Sequence, residues 1–567
     1  MKKILLFILS ALTLTSCEDY LDRQPLDTPA SASYYNNEAE MNLALTGVYS
    51  SNYWTTGNLP VQVLYDLYTD IGLERAPGIA QGNYDATNGT VSSFWGFMYT
   101  TVARANALLA GMERGKANVP AANFNRIQAE AKVLRAWAYY HLMGLYGDVP
   151  FYTEPLLPEQ FYTLTRTERA KIADFLITDL EDAAPKLEWA SRERGRVNRG
   201  VALGLIAKVA LMLNRHQVAA DAAKRVIDGN FYGLNPRFQD LFTLAGQQAN
   251  AGREIMFEML YPTDAAFPVS FMALGQGSRA IAAQSGRFPL QALVDKFEAI
   301  DGKRIDESAV YSPAQPSRNR DPRLKWTVTM HGDTITGNTS GTRRRAVFNI
   351  YDAQTSFFNF NTNTWANAAN ADVTNPFGPV LNGLGLLWAK WTYDEAQDMF
   401  ASKTGFAYMR YAEILLTYAE AKIELNQIDQ TVINAMNLVR RRAGMPNVDP
   451  AIQSNQTKMR QLVRRERTVE LANEGIHLFD MRRWGTGRLV MNTIVYGAPR
   501  TRTAVAPIPS FGTPGSPQDL NDIPNYTAGD AVRFKREQRT FDDKHNLFPI
   551  PQRERDINRS LTQNQGW

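Results

Sequence analysis

Apolar residues recur at steps of three and four through much of this chain, the signature of helices with one buried face. Ile127, Ala131, Leu134, Ala138 and Leu142 form one such stripe, and Ala202, Leu205, Ile206, Val209 and Leu213 form another. After a break from Asn214 to His216, Val218, Ala222 and Val226 mark a further helix, which Gly229 can close. Tyr408, Tyr411, Leu415 and Tyr418 share a face further along. Val432, Ala435, Leu438 and Val439 follow, and Gly444 and Pro446 stop that helix. Paired stripes with short turns, and small residues such as Ala219, Ala220, Ala222 and Ala223 at the crossings, predict tetratricopeptide-like helical hairpins. The strict repeat consensus is absent, so the match is one of architecture.

Two stretches break the pattern. One spans about 261–399 and the other about 485–546, both rich in Gly and Pro. Short β runs such as Trp326 to Met330 are expected in the first. Long irregular segments in a folded chain are usually functional surfaces. The predicted fold is therefore mainly α: a helical-hairpin scaffold over about 35–260 and 400–484, with a loop-rich ligand or partner face and a few short strands. Residues 35–567 are expected to form a single body.

The N-terminus has its own logic. Lys2 and Lys3 precede an almost wholly apolar run from Ile4 to Leu14, too short to span a bilayer as a helix. Residues 1–16 therefore read as a signal peptide. Leu14-Thr15-Ser16-Cys17 has the form of a bacterial lipobox, in which the Cys thiol takes a lipid. Cys17 is the single cysteine among 567 residues, which rules out an internal disulfide and any Cys cluster for metal. Acylation at Cys17 would hold a soluble body at a membrane. Residues 17–34, with Pro25 and Pro29, read as the lipidated Cys and its tether.

Charge and motifs exclude more than they identify. The net charge of +4 offers no electrostatic case for nucleic acid. There is no H-E-x-x-H, no G-x-S-x-G and no P-loop. His141, His216, His331, His477 and His545 are scattered without ligand spacing, and His141 falls inside an apolar helical stripe, where a buried structural role is expected. No catalytic residue, metal site or cofactor is expected. In the run Arg464-Arg465-Glu466-Arg467 with Glu470 and Glu474, the carboxylates share a helix side at i, i+4 spacing, so structural ion pairing is expected.

Several segments resemble the SusD/RagB family. They are Cys17 to Asp22 with Pro25, RAWAYYHLMGLYGDVPF from Arg135, LVDKFEAIDGKRI from Leu293 and NRDPRL from Asn319. RYAEILLTYAEAK from Arg410, RRERTVELANEGIHLFDMRRWG from Arg464 and LFPIPQRERDINRSLTQNQGW from Leu547 complete the set. The chain ends in Gly566-Trp567, where the family often has Pro before the Gly and a final Tyr. The resemblance implies a non-catalytic lipoprotein of the outer membrane, facing the cell exterior. Such a protein captures oligosaccharides and passes them to a SusC-like, TonB-dependent β-barrel transporter. An oligopeptide-binding subunit of the same importer type is the alternative, then a structural envelope adaptor, and an enzyme such as a glycosidase comes last.

Sugars offer apolar C–H faces and many hydroxyls, so a site for them needs an aromatic ring and planar polar groups. The Gly-rich segment from Asp66 to Thr90 supplies both and reads as a loop. From it Tyr68, Asp70, Arg75 and Tyr84 are the expected ligand residues, with Tyr84 as platform and Arg75 and Asp70 as hydroxyl partners. A second group is Phe357, Phe358, Phe360 and Trp365 with Asn359 and Asn361, from which Trp365 is the expected ligand residue.

Overall fold

The computed structural model describes residues 34–567 apart from 77, 262–268 and 527, so Cys17 and the expected leader lie outside the described residues. Helices of seven or more residues are numbered in chain order. They are α1 (Glu38–Ser51), α2 (Val61–Leu67), α3 (Gly89–Met112), α4 (Ala121–Tyr146), α5 (Arg169–Ala183) and α6 (Arg199–Met212). Then come α7 (His216–Asp228), α8 (Tyr411–Glu424), α9 (Gln430–Arg442), α10 (Gln456–Leu471) and α11 (His477–Arg483). Strands of three or more are β1 (Gly72–Glu74), β2 (Ile255–Met259), β3 (Arg287–Pro289), β4 (Thr334–Thr339) and β5 (Thr342–Val347). They continue with β6 (Gln354–Asn359), β7 (Thr364–Ala369), β8 (Phe406–Arg410), β9 (Ile494–Pro499) and β10 (Arg533–Gln538).

Local chemistry starts the helices. Asn37, Asn88, Asn198, Asp429 and Asn455 each accept first-turn backbone N–H bonds with their side chains, heading α1, α3, α6, α9 and α10. Packing then decides the rest. Every residue of α4 from Val133 to Tyr146 is buried, so this half of the helix is enclosed by its neighbours on all sides. Its one cation in that stretch, Arg135, is matched by Asp179 at 2.7 Å. Gly147 ends α4 with φ of 77°, a left-handed backbone that favours glycine.

The mainly helical fold is observed. α1 packs on α3 and α4, and each helix from α3 to α8 packs on the next, with α9 and α10 on α8. The stack is continuous from α7 to α8 although residues 229–410 lie between them. That segment is thus an excursion from one helical array, and the β2–β8 ladder pairs its two arms. One hydrophobic core runs from Met41 to Leu561, and a second, small cluster joins Leu274, Ile281, Ala283, Ala346 and Met399.

Some expectations are corrected. Tyr408 lies in β8, and α8 begins only at Tyr411, because Arg410 is extended at φ −124°. All five residues of β8 are buried, so the strand shows no alternation by which to recognise it. Trp326 is in a short helix, Arg323–Thr327, with Val328–Thr329 alone forming a strand after it. The irregular region also contains a four-stranded antiparallel meander in the order β7-β6-β5-β4.

Structural ion pairing is also observed, deep inside. Glu466 pairs with Arg323 at 3.0 Å and with Arg440. Glu470 meets Arg323 and Arg410, each at 3.0 Å, and Arg442. Glu474 lies beyond the end of α10, yet joins the same network through Arg410 at 2.7 Å and Lys390 at 2.9 Å. The network staples the excursion to α9 and α10.

Candidate functional site

The meander carries the most open aromatic surface of the excursion. Its pleat sends alternate side chains to opposite faces. Ile335, Gly337, Ala346 and Phe357 fall on the inner face; Ile335, Ala346 and Phe357 pack into the small cluster with Ile281 and Met399. At Gly337 a Cβ would lie 2.4 Å from Met399, which shows how closely that face is packed. Phe358, Trp365 and Arg345 fall on the outer face in one cross-strand row. The Phe358 and Trp365 rings are 5.5 Å apart, and Phe360 stands 5.1 Å from Phe358. Arg343 and Arg345 each lie 4.9 Å over the Phe360 ring.

Beside this row is an open groove of about 670 Å³, lined by Trp365, Asn367, Ser356, Gln354, His331 and Arg502 among others. Trp365 is 64% exposed. Asn367 and Ser356 face each other across β6 and β7 and share a 2.5 Å hydrogen bond. Arg502 reaches the edge from the second irregular segment and pairs with Asp352 at 2.5 Å. Tyr351 stacks edge-on with His331 at 4.6 Å and donates to the Pro499 carbonyl at 3.1 Å, tying both irregular segments together. Burial, then the Arg502 charge, holds the His331 pKa below its ordinary value, so the ring is neutral at pH 7. Among the described residues, those lining the groove include no Asp or Glu. The groove can stack an apolar ring face on an indole and offer amides, hydroxyls, an imidazole and a guanidinium to hydroxyl groups.

The segment from Asp66 to Thr90 is built differently from the expected loop. It runs from the end of α2 through β1 into an irregular stretch before α3; Asp66, Tyr68 and Asp70 turn inward, whereas Asp85 is exposed. Tyr68 is buried against Phe548. Asp70 is buried with its Oδ1 2.8 Å from His477 Nε2. Burial alone would raise the Asp70 pKa, but the adjacent His477 ring outweighs it and the carboxyl sits below its ordinary value. Asp66 accepts three backbone N–H bonds from Glu474, Gly475 and His477, and burial pushes its pKa up to about 6. Tyr84 is half-buried, 4.7 Å from the Trp567 ring and 5.7 Å from His545. Burial raises its pKa. Tyr68, Asp70 and Tyr84 are thus held by the core and the C-terminus. Arg75 is half-buried, like Tyr84, but its guanidinium lies 4.9 Å over the Phe377 ring rather than in the core. Trp365 and Arg75 belong to separate surfaces. No local signal in the sequence joins His331, Gln354, Asn367 and Arg502 to Trp365.

The model of the SusD family matches residues 270–567, more than half of the chain. The chain belongs to the SusD family. A second family description, starch-binding associating with outer membrane, matches residues 19–211 of this SusD-family chain. SusD-like protein P25 of Formosa agariphila is 25% identical over 505 residues, covering 85% of this chain and 90% of its own. A SusD-like carbohydrate binding protein from Bacteroides fragilis superposes with a TM-score of 0.76 at 24% identity, covering 93% of this chain and 99% of its own. A laminarin binding SusD-like protein gives 0.64 at 18% identity, covering 94% and 100%. These two structures share the fold of this SusD-family protein. No helix among the described residues is long and apolar enough to cross a membrane.

Proposed function

We propose that this SusD-family protein is a non-catalytic glycan-binding lipoprotein, held by Cys17 on the outer face of the outer membrane. It captures oligosaccharides and delivers them to a SusC-like, TonB-dependent barrel. The observation that carries the reading is the Trp365 groove, where an exposed indole stands beside amides and hydroxyls. Aromatic area with a few placed polar groups is what a sugar requires. The carbohydrate-binding and laminarin-binding names of its relatives support the same class of ligand. A groove rim without the two facing carboxylates of glycoside hydrolysis fits binding better than cleavage. A barrel partner is inferred because a tethered binder cannot by itself move a polar ligand across a bilayer.

The test is retention of the purified protein in native gels containing laminarin, starch or other polysaccharides. Trp365→Ala is expected to weaken binding by about 1–3 kcal/mol, with base–aromatic stacking as the guide. Unchanged affinity in a folded variant would remove the groove from the site. Failure of every polysaccharide to retain the wild type would remove the glycan reading.

A further inference from the structure

Arg75 sits at the centre of a second surface, and what surrounds it is charge rather than aromatic area. β1 and β3 pair Glu74 with Arg287, and the Arg75 N–H bonds to the Gly286 carbonyl, so the two strands fix Arg75 at a sheet end. Its guanidinium lies over Phe377. Arg279 approaches the same residue from the other side, donating to the Phe377 carbonyl at 3.2 Å. Arg536 donates to the Arg75 carbonyl at 2.7 Å and to the Asn382 carbonyl. Four guanidiniums, those of Arg75, Arg279, Arg287 and Arg536, therefore gather at one place.

Among the described residues, Arg75, Arg279 and Arg536 form no ion pair with a carboxylate. Arg287 has Glu74 at 3.4 Å. Arg279 bonds to Ser285 and to the carbonyls of Phe377 and Gln284, and Arg536 bonds to carbonyls alone. A carbonyl satisfies a donor but leaves the positive charge uncompensated. Among the described residues, Arg75 has no ion pair, and the ring of Phe377 is its one recorded side-chain partner. Glu537 is paired with Arg539 at 3.0 Å and accepts from Gln81, and the buried Asp372 accepts from Ser278 and from the Arg279 backbone N–H. Burial, and next the charge of Arg75, hold the Arg279 pKa below its ordinary value against the opposing charge of Asp372.

The charge faces an opening. An open depression of about 350 Å³ adjoins it, lined by Gln81, Leu381, Asn382, Lys535, Arg536 and Glu537 among others. Leu381 is 60% exposed and Phe377 55% exposed. Half-buried guanidiniums without carboxylate partners, beside the exposed Leu381, match a sugar ring that bears an anionic group. Guanidinium forks match carboxylate and sulfate oxygens in geometry as well as charge.

We infer that this cationic surface is an anion subsite, in which Arg75, beside the depression, acts with Arg536 and Lys535 of its lining to hold the carboxylate or sulfate group of an acidic glycan. The inference rests on the glycan reading and narrows it to a charged substrate class. It gives Arg75 a counter-ion role in place of the hydroxyl partnership expected from sequence.

The test compares matched acidic and neutral polymers in native affinity gels. Polygalacturonate is set against its methyl ester, and carrageenan against its desulfated form. Wild type is expected to bind the acidic member of at least one pair more tightly, and added salt should erode the preference, since exposed charges are screened within about 10 Å at 0.1 M. The pair that responds tells carboxylate from sulfate. Arg75→Glu and Arg75→Gln are expected to lower the acidic-to-neutral affinity ratio by about tenfold or more, the order of one charge-assisted contact, with the thermal melt confirming the fold. Equal binding of acidic and neutral forms, or an unchanged ratio in both variants, overturns the inference. Tight, Trp365-dependent binding of neutral polymers alone would overturn it while leaving the glycan reading in place. Failure of all polymers to bind would sink both.

Discussion

Single residues show how burial assigns roles. His141 is 2% exposed, 4.5 Å from the Trp137 ring and 5.0 Å from the Trp54 ring, with Nδ1 2.9 Å from the Trp137 carbonyl. Burial pushes its pKa down to about 3. An unfolded chain binds a proton there near pH 6.5, whereas the folded one does not. Stability from this site is therefore full above pH 6.5 and declines as pH falls from 6.5 towards 3, at up to about 1.4 kcal/mol per unit. Urea melts between pH 7.5 and 5 should show the decline, and His141→Gln should lose a slope of that size. A variant with the wild-type pH slope would contradict the buried neutral ring. Tyr84 makes the opposite point about platforms. Its ring is locked against Trp567, His545 and Phe548. Tyr84→Ala should lower unfolding stability by roughly 2–4 kcal/mol, near the low end for large aromatic truncations, and an unchanged melt would show that the contact carries no packing.

At the scale of elements, α10 is the hinge between sequence pattern and tertiary chemistry. Its carboxylates were legible as a stripe at i, i+4 spacing, but their partners come from β8, α9 and the short helix at 323–327. Glu470 is fully buried between three arginines, and although burial opposes ionisation, Arg442, Arg410 and Arg323 together hold its pKa well below the carboxylate range. Removing one member of such a network leaves charges unmatched, so Glu470→Ala should destabilise by about 3–5 kcal/mol in a urea melt. The sign with pH follows. A depressed carboxylate contributes fully above its unfolded value of about 4.3 and loses that contribution as pH falls below it. Wild type should thus lose stability steeply below about pH 4.5, and the variant less so. The β4–β7 meander is the reverse case. Its strands Thr342–Val347 and Thr364–Ala369 carry Arg343, Arg345 and Asn367 on the outer face beside Trp365, and the inner face includes Gly337 and Ala346. Weak apolar alternation made it read as loop.

For the whole molecule, the body lies in one continuous helical stack with its irregular segments as excursions, and the proposed anchor lies outside it at Cys17. If that anchor is the sole membrane attachment, Cys17→Ala should move the protein from the membrane fraction to the soluble fraction, and labelled palmitate should enter wild type but not the variant. Wild type without label would end the anchoring proposal. Gentle extraction of wild type should also recover a large β-barrel partner.

The sequence by itself determined the helical architecture, because long stripes at 3.6-residue spacing and Asx caps are local properties. It also determined the family resemblance, because the motifs at Arg135, Arg410, Arg464 and Leu547 are contiguous. Tertiary structure alone decided which polar and aromatic groups face water. Tyr68, Asp70 and Tyr84 look like loop residues beside their glycines, yet the core and the C-terminal Trp567 take them up. Phe357 and Phe358 are adjacent in sequence, and the pleat sends one inward and one outward. Trp365 gains its groove from residues at 331, 349, 354 and 502, and Arg75 its cationic setting from 279, 287 and 536. Chain folding brings together groups separated by hundreds of residues, and no periodicity along a chain records which distant segments will meet.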